Sequence, residues 1–122
     1  MAVTRVNPID VTPGTTGSFQ DVDLDTYIAS LPADVSGVIL KIDNTSTTTA
    51  YAIGLRPNGS TDNRTDSIRR DGLIEAIIGV DADNIFECYI GNTAVKVWII
   101  GYTQDADFVG ITNGVNKSVS SG

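Results

Sequence analysis

The segment GVILKID, residues 37–43, decides the fold class of this chain. In an extended backbone Val38, Leu40 and Ile42 point to one face, and Ile39 and Lys41 point to the other. This period of two predicts a β-strand whose first face lies in a hydrophobic core. The whole chain agrees, because 14 Ile, 12 Val and 14 Thr make about a third of its 122 residues β-branched, a composition typical of strands. We therefore expect an all-β fold.

Further apolar runs recur along the chain at the spacing of short antiparallel strands. Strands are predicted at residues 18–24, 37–43, 48–56, 73–80, 85–90 and 94–102, and a helical turn at 25–28 capped by Asp25. The polar residues 61–71 predict a loop or, alternatively, a short edge strand at 67–69. The turns are rich in Gly, Asn and Asp, as in PNGS at 57–60, where the Asn-Gly pair suits a positive φ. This spacing indicates an antiparallel β-sandwich, jelly-roll-like, of about eight strands.

The sequences of two of these segments predict which of their side chains are buried. The run LIEAIIGV at residues 73–80 is almost continuously apolar, which predicts a strand buried on both faces. The run AVKVWIIGY at 94–102 alternates instead, and strict alternation places Trp98 and Tyr102 together on the face opposite Val97.

A length of 122 residues fits one domain with extended ends. Residues 1–17 contain Pro8 and Pro13 and are predicted to form an extended N-terminal arm, residues 18–111 the sandwich, and residues 112–122 a C-terminal tail. We expect the arm and the tail to lie against neighbouring subunits. The first residues lack the apolar run of a signal peptide, and no window reaches the length of a membrane span, so we expect synthesis in a cytoplasm.

The composition excludes several classes of chemistry. The chain has no histidine, which removes Ser-His-Asp and Cys-His catalysis and histidine-based zinc sites. A net charge of −7 disfavours binding to a phosphate backbone. The single cysteine, Cys88, lies among apolar residues, which predicts a small buried side chain rather than a reactive thiol. We expect no cofactor.

The aspartates occur in closely spaced pairs within turns, Asp81 with Asp83 and Asp105 with Asp107. Carboxylates at alternate positions can bind Ca²⁺, which takes several oxygen ligands. No stretch has the spacing of a calcium-binding loop, however, and aspartates also stabilise turns by bonding their own backbone. We therefore predict no metal site.

Glu75 is the one acid within a strongly apolar predicted strand. A glycosidase needs two carboxyl groups at a defined separation, and nothing in the spacing supplies the second. The alternative role of Glu75 is a solvent-facing residue or a cross-strand pair with Lys41 or Lys96. We predict no catalytic residue and a protein that is not an enzyme.

Four of the eight basic residues fall within fifteen positions, namely Arg56, Arg64, Arg69 and Arg70. Arginine binds carboxylates bidentately and is enriched in protein interfaces. These four residues are therefore candidate assembly contacts. The alternative is a solvated loop of mixed charge, since three aspartates lie among them.

Four stretches resemble small β-sandwich virion structural proteins of tailed bacteriophages: GVILKIDNT at 37–45, YAIGLRPNGSTD at 51–62, GVDA at 79–82 and VWIIGYT at 97–103. The likeness spans residues 19–103, and the run G-L-R-x-N-G-S-T-D is its most specific part. Proteins of this kind are capsid decoration or cement proteins, or modules of tails and fibres. They commonly form homotrimers or other symmetric oligomers.

The resemblance implies a non-enzymatic capsid decoration protein that binds and stabilises the assembled head. Its expected partners are its own subunits, with a trimer favoured, and the major capsid protein, but neither nucleic acid nor membrane. The expected location is the virion, after synthesis in the bacterial cytoplasm. The alternative is a tail or fibre module that binds a host-surface glycan or receptor, which predicts exposed Trp98 or tyrosines beside carboxylates in a groove.

Overall fold

The computed structural model describes residues 3–104. Its elements are β1 (Val3–Asp10), β2 (Gln20–Asp23), α1 (Leu24–Tyr27), β3 (Val35–Asn44), β4 (Tyr51–Pro57), β5 (Asp66–Ile68), β6 (Leu73–Gly79), β7 (Ile85–Ile90) and β8 (Val95–Gln104). The predicted tail, and the pair Asp105 and Asp107, lie outside the described residues. Within residues 3–104, no helix has the length and apolar character needed to cross a membrane.

The strands form two antiparallel sheets of four strands each. Sheet A has the order β1-β8-β3-β6, and sheet B has the order β2-β7-β4-β5. The prediction of an all-β sandwich is confirmed. The predicted strand 37–43 lies inside β3, and the predicted strand 85–90 coincides with β7.

The hydrophobic core lies between the two sheets. Val38, Leu40 and Ile42 of β3 are fully buried, as their alternation predicted. Phe86 of β7 and Leu24 at the start of α1 are also fully buried in the same cluster. Burial of an aliphatic or aromatic side chain of this size contributes about 1.5–3 kcal/mol before entropy is subtracted. Packing between the sheets therefore stabilises the fold.

A β-bulge in β8 changes which side chains of this strand face the core. The register between β3 and β8 shifts between Ile39 and Leu40, which leaves Ile100 as an extra residue in β8. One extra residue inverts the alternation beyond it. Tyr102 therefore packs against the core, and the prediction that it shares a face with Trp98 is wrong.

The predicted helical turn is present but begins one residue earlier. The Asp23 carboxylate accepts a hydrogen bond from the Asp25 backbone N–H at 3.0 Å and caps α1. The prediction of Asp25 as the cap is wrong, because Asp25 lies in the first turn. Leu24 is fully buried as the first helical residue, so β2 ends sooner than predicted.

Much of the predicted N-terminal arm is an edge strand of sheet A. β1 pairs with β8 of the same chain, and Val11, directly after it, is buried. The β1–β8 register shifts between Arg5 and Ile9, and Pro8 lies within this irregular part. An edge strand tolerates a proline there because no neighbouring strand needs its N–H.

β6 is much more exposed than its sequence predicted. Among residues 3–104 it forms the free edge of sheet A and pairs with β3 alone, in unbroken register over its whole length. Leu73, Ile74 and Ile77 are 57%, 42% and 40% exposed. The prediction of a strand buried on both faces is therefore wrong for the single chain. A continuous apolar run is typical of a strand that is covered on both sides.

Candidate functional site

The four candidate arginines lie at the end of β4 and in the segment that leads from β4 to β6. The segment starts with the turn predicted from PNGS. The Ser60 backbone N–H donates to the Pro57 carbonyl at 3.1 Å, and Gly59 has a φ of +83°. The predicted positive φ is confirmed at Gly59, where a side chain would be strained.

Arg56 is half-buried and turned toward sheet B rather than toward solvent. It lies opposite Glu87 of β7, its Nη2 is 2.7 Å from Glu87 Oε1, and its Nε donates to the same oxygen at 2.9 Å. Its guanidinium carbon is 3.9 Å from the centre of the Phe19 ring. A charged hydrogen bond and a cation–π contact together fix the orientation of this side chain.

The pair formed by Arg56 and Glu87 also holds the loop that follows the turn. Arg56 Nη1 donates to the Asp62 carbonyl at 3.0 Å and to Asn63 Oδ1 at 2.7 Å. Glu87 Oε2 accepts the Gly59 backbone N–H at 2.9 Å. Arg56 is therefore a positioning residue that joins the loop to sheet B.

Arg64, unlike Arg56, is exposed. Its guanidinium forms an ion pair and hydrogen bonds with the Asp62 carboxylate, which also accepts the Arg64 backbone N–H at 3.1 Å. The Asp62 carboxylate raises the pKa of Arg64, first by hydrogen bonding and then by its charge. The Arg64 side chain remains 70% exposed, so it can contact a partner.

Arg69 and Arg70 are exposed on the short turn between β5 and β6. The turn is rigid, because the Gly72 backbone N–H donates to the Arg69 carbonyl at 2.9 Å and Asp71 has a φ of +56°. A Cβ atom on Gly72 would lie 2.7 Å from the Arg69 carbonyl oxygen. The turn therefore presents both arginines in a fixed position directly before β6.

Asn44, at the end of β3, anchors this turn and was not identified from the sequence. Its side chain is fully buried, and its Nδ2 contacts the carbonyl oxygens of Thr49, Ile68 and Arg69 at 2.9, 3.0 and 3.2 Å. The sequence contained a signal, since Asn44 occupies the next inward position after Ile42. A buried amide requires partners, and here the backbone on both sides of it supplies them.

The first groove opens between the two sheets, along the inner side of β6. It has a volume of about 430 Å³. Its floor and walls are Ile42, Ile53, Gly54, Leu55, Ile74 and Ala76, and its rim consists of Asp62, Arg64 and Asp66. The loop fixed by Arg56 therefore borders the same groove as the exposed apolar edge. Of the four arginines, Arg64 alone lines it.

The second groove lies on the opposite side of β6, on the outer face of sheet A. It has a volume of about 490 Å³ and is lined by Val3, Arg5, Ile39, Glu75, Ala76 and Ile77. Gly101 of β8 lies opposite Ile39 on the same face, and a Cβ atom there would lie 2.8 Å from the Thr4 carbonyl oxygen and 3.4 Å from Ile39 Cδ1. Grooves thus flank β6 on both sides.

Exposed large apolar side chains concentrate around this edge. Among the described residues they are Val3, Tyr27, Leu73, Ile74 and Ile77. Three of the five belong to β6, and Val3 lines the outer groove beside it. Clusters of exposed aliphatic side chains mark interaction surfaces. The arginine turn and β6 together form the candidate functional site, which we call the β6 edge (residues 69–79).

The remaining polar candidates serve the fold. Asp81 Oδ1 accepts the backbone N–H groups of Asp83 and Ile85, each at 3.0 Å, and its Oδ2 accepts Asn58 Nδ2 at 2.7 Å. Among residues 3–104, no group of three or more Asp, Glu, His or Cys side chains could hold a metal ion. Cys88 is fully buried, and burial raises its pKa to about 12.

The two glutamates lie in different sheets and have different surroundings. Glu75 is exposed on the outer face of sheet A, in register opposite Lys41 as one of its predicted alternatives requires. Glu87 belongs to sheet B and is bonded to Arg56. The described fold does not bring these two carboxylates together across a cleft.

The aromatic residues lie apart from both grooves. Trp98 is half-buried on the outer face of sheet A, in register opposite Asp10 and Lys41. Tyr89 is half-buried, and its ring centre is 5.5 Å from that of Phe19. Neither groove is lined by an aromatic side chain.

Comparison with known proteins gives no match to a protein-family model, to a curated protein or to a solved structure.

Proposed function

We propose that this protein is a non-enzymatic structural protein of a bacteriophage virion, a capsid decoration protein that binds the assembled head and stabilises it. Its partners in this proposal are its own subunits and the major capsid protein. Its stabilising effect comes from surface burial at junctions between capsid subunits, repeated over many weak contacts. The mechanism involves neither nucleic acid nor membrane.

The strand pairing supports the jelly-roll form of the sandwich. The pairs β1–β8, β2–β7, β3–β6 and β4–β5 all occur, which is the pattern made when one long antiparallel hairpin rolls into two sheets. Jelly rolls are frequent among viral capsid proteins and lectins. The topology therefore fits both the decoration role and the alternative of a glycan-binding tail module.

The observation that carries the proposal is the composition of the β6 edge. It combines three exposed aliphatic side chains with Arg69 and Arg70 on a rigid turn. Interfaces typically join an apolar centre to a rim in which arginine is enriched. A surface made for chemistry would instead present convergent acids, a reactive thiol or a metal site.

The tail or fibre module is the second candidate, and Trp98 is the residue that favours it. Its indole lies on an outer sheet face beside the Asp10 carboxylate, which is the combination that stacks on and hydrogen-bonds a sugar. It ranks second because Trp98 is half-buried and both grooves are lined by aliphatic side chains.

The test is a sedimentation assay with purified phage heads that lack the protein. Saturable binding at a copy number related to the head symmetry is expected, and the double variant Arg69→Ala/Arg70→Ala should bind more weakly. Lys96→Ala is the control for loss of a positive charge from sheet A, because Lys96 belongs to β8, which β3 separates from β6. Absence of binding to heads, with retention on host cells or glycans, would assign the protein to the tail.

A further inference from the structure

The four sheet edges of this fold differ in how they are protected from pairing with another chain. β2 has four residues, two of them Asp, and β5 has three residues and begins with Asp66. β1 contains Pro8 and a register shift. Short length, charge, proline and irregularity are the devices that prevent edge-to-edge association. Each of these three edges has at least one of them.

β6 has none of these devices except a single charge. Its sequence LIEAIIG has seven residues, no proline and no register shift against β3, and Glu75 is its one charged residue. A regular edge of this length exposes a row of backbone groups that another strand can pair with. Its exposed Leu73, Ile74 and Ile77 add apolar area to that row.

We propose that the β6 edge binds the β6 edge of a second copy of this chain, antiparallel and about a two-fold axis. The two copies of sheet A would then form one continuous eight-stranded sheet. This inference stands without the role in the virion, but it assigns the β6 edge to the contact between subunits. The weaker head binding expected of Arg69→Ala/Arg70→Ala would then follow from loss of the dimer. It replaces the trimer implied by the family resemblance, because a two-fold contact uses the same surface on both copies and closes as a dimer.

The side-chain pattern of β6 is compatible with pairing to itself. Residues directly opposite each other in an antiparallel pair share a face, so inward side chains must meet inward side chains. A two-fold axis at Ala76 satisfies this, because it places Ile74 opposite the partner's Ile78 and Glu75 opposite the partner's Ile77. Within β6 itself, residues 73–79, no two carboxylates stand directly opposite each other in this register.

The charges at the two ends of β6 provide the specific argument for a second copy. Arg69, Arg70 and Asp71 precede the strand with a net charge of +1, whereas Asp81 and Asp83 follow it with a charge of −2. Antiparallel pairing brings the basic beginning of one β6 to the acidic end of the other, and the two-fold axis makes this contact twice. Asp83, Arg69 and Arg70 are all exposed in the single chain. Charge complementarity of this kind sets the direction and register of association.

The first test is the mass of the full chain in solution, measured by light scattering over a concentration series. A mass of twice 12.9 kDa is expected, with dissociation on dilution. Ile77→Glu places a carboxylate directly opposite the partner's Glu75, twice about the two-fold axis, and should weaken the dimer at least about tenfold. Tyr27→Glu is the matched control, since Tyr27 is 42% exposed but lies on α1, and it should leave the mass unchanged.

A charge exchange makes the test specific to the register. Arg69→Glu and Asp83→Lys should each weaken the dimer, and the double variant should regain most of the lost affinity, with circular dichroism confirming the fold of each variant. The inference is overturned by a monomer at every concentration up to about 1 mM, by a trimer, or by a dimer that Ile77→Glu does not weaken. A dimer that fails to bind heads would contradict the proposed function alone, and a monomer that binds heads would contradict the dimer alone.

Discussion

The two edge strands of sheet A, β1 and β6, both expose backbone groups that another chain could pair with, but their sequences differ. β1 is interrupted by Pro8 and a register shift, and it has the exposed charges Arg5 and Asp10 on its length. β6 is regular and mainly apolar. The comparison shows that one edge of this sheet is protected from other chains, whereas the other remains suitable for pairing.

The two edge strands also differ in how far their apolar side chains are buried within the single chain. Val6 and Ile9 of β1 pack against the core, so β1 contributes to the stability of the single chain. In β6, Ala76 and Ile78 pack against the core. Leu73, Ile74 and Ile77 of the same strand are exposed. The rest of residues 3–104 leave this apolar surface exposed, so it contributes little to their folding and is available to a partner.

Gly101→Ala should give the largest effect, because it separates β1 from β8. The new Cβ would lie 2.8 Å from the Thr4 carbonyl oxygen in β1, a contact that forces the backbone to move. We expect a loss of about 1–3 kcal/mol in the free energy of unfolding, measured by urea denaturation. Gly14→Ala is the control, since its Cβ would have no neighbour within 4 Å. Equal stability of both variants would show that the β1 edge tolerates the displacement.

Truncation of one isoleucine on each edge compares the two edges directly. Ile9→Ala removes a side chain that packs against the core, and should cost about 1–2 kcal/mol of unfolding free energy, less than a fully buried site would. Ile77→Ala removes a side chain that is 40% exposed and should cost less in the monomer. Urea denaturation at low protein concentration measures both. A larger loss for Ile77→Ala would mean that β6 is part of the core of the single chain.

The sequence predicted local structure well, because local structure depends on period and turn chemistry. The alternation of residues 37–43 identified the core face of β3, and PNGS identified a turn with Gly59 at positive φ. The position of a strand within its sheet depends instead on pairings between distant segments. The apolar run of β6 therefore predicted a strand buried on both faces. The bulge that turns Tyr102 inward could not be predicted, because the apolar pattern of residues 94–102 does not show it.

The candidate site was predictable in composition but not in arrangement. The cluster of arginines was visible in the sequence, and Arg64, Arg69 and Arg70 are exposed as an assembly contact requires. The internal bonding of Arg56 depends on Glu87, 31 residues away, and could not be inferred from neighbours in the chain. The role of Asn44 required knowledge that the turn before β6 returns to the end of β3.

Acidification should weaken β1 through Asp10, whose carboxylate accepts hydrogen bonds from the Thr12 hydroxyl at 2.6 Å and backbone N–H at 2.9 Å. These bonds lower the pKa of Asp10 below its ordinary value of 3.8. Ionised Asp10 therefore contributes stability above pH 3.8, and this contribution is lost as the pH falls through the lowered pKa. Relative to Asp10→Asn, the wild type should be more stable at neutral pH and lose that advantage in acid. A constant difference across denaturation curves at several pH values would contradict this origin.

Glu75→Gln should have the smallest effect on stability and the most informative effect on association. Glu75 is exposed opposite Lys41, and exposed pairs of this type contribute less than about 1 kcal/mol, so the unfolding free energy of the monomer should hardly change. Glu75 is nevertheless the one charge on β6, and in the two-fold pair it lies diagonally across from its own copy. Loss of the charge should therefore tighten the dimer, and light scattering should show dissociation at a lower protein concentration than in the wild type.

Lys96→Gln, which removes a charge from β8, should leave that concentration unchanged. If Lys96→Gln, which raises the net negative charge, weakens association by as much as Glu75→Gln tightens it, net charge and not the β6 edge controls association, and the contrast between β1 and β6 loses its functional meaning.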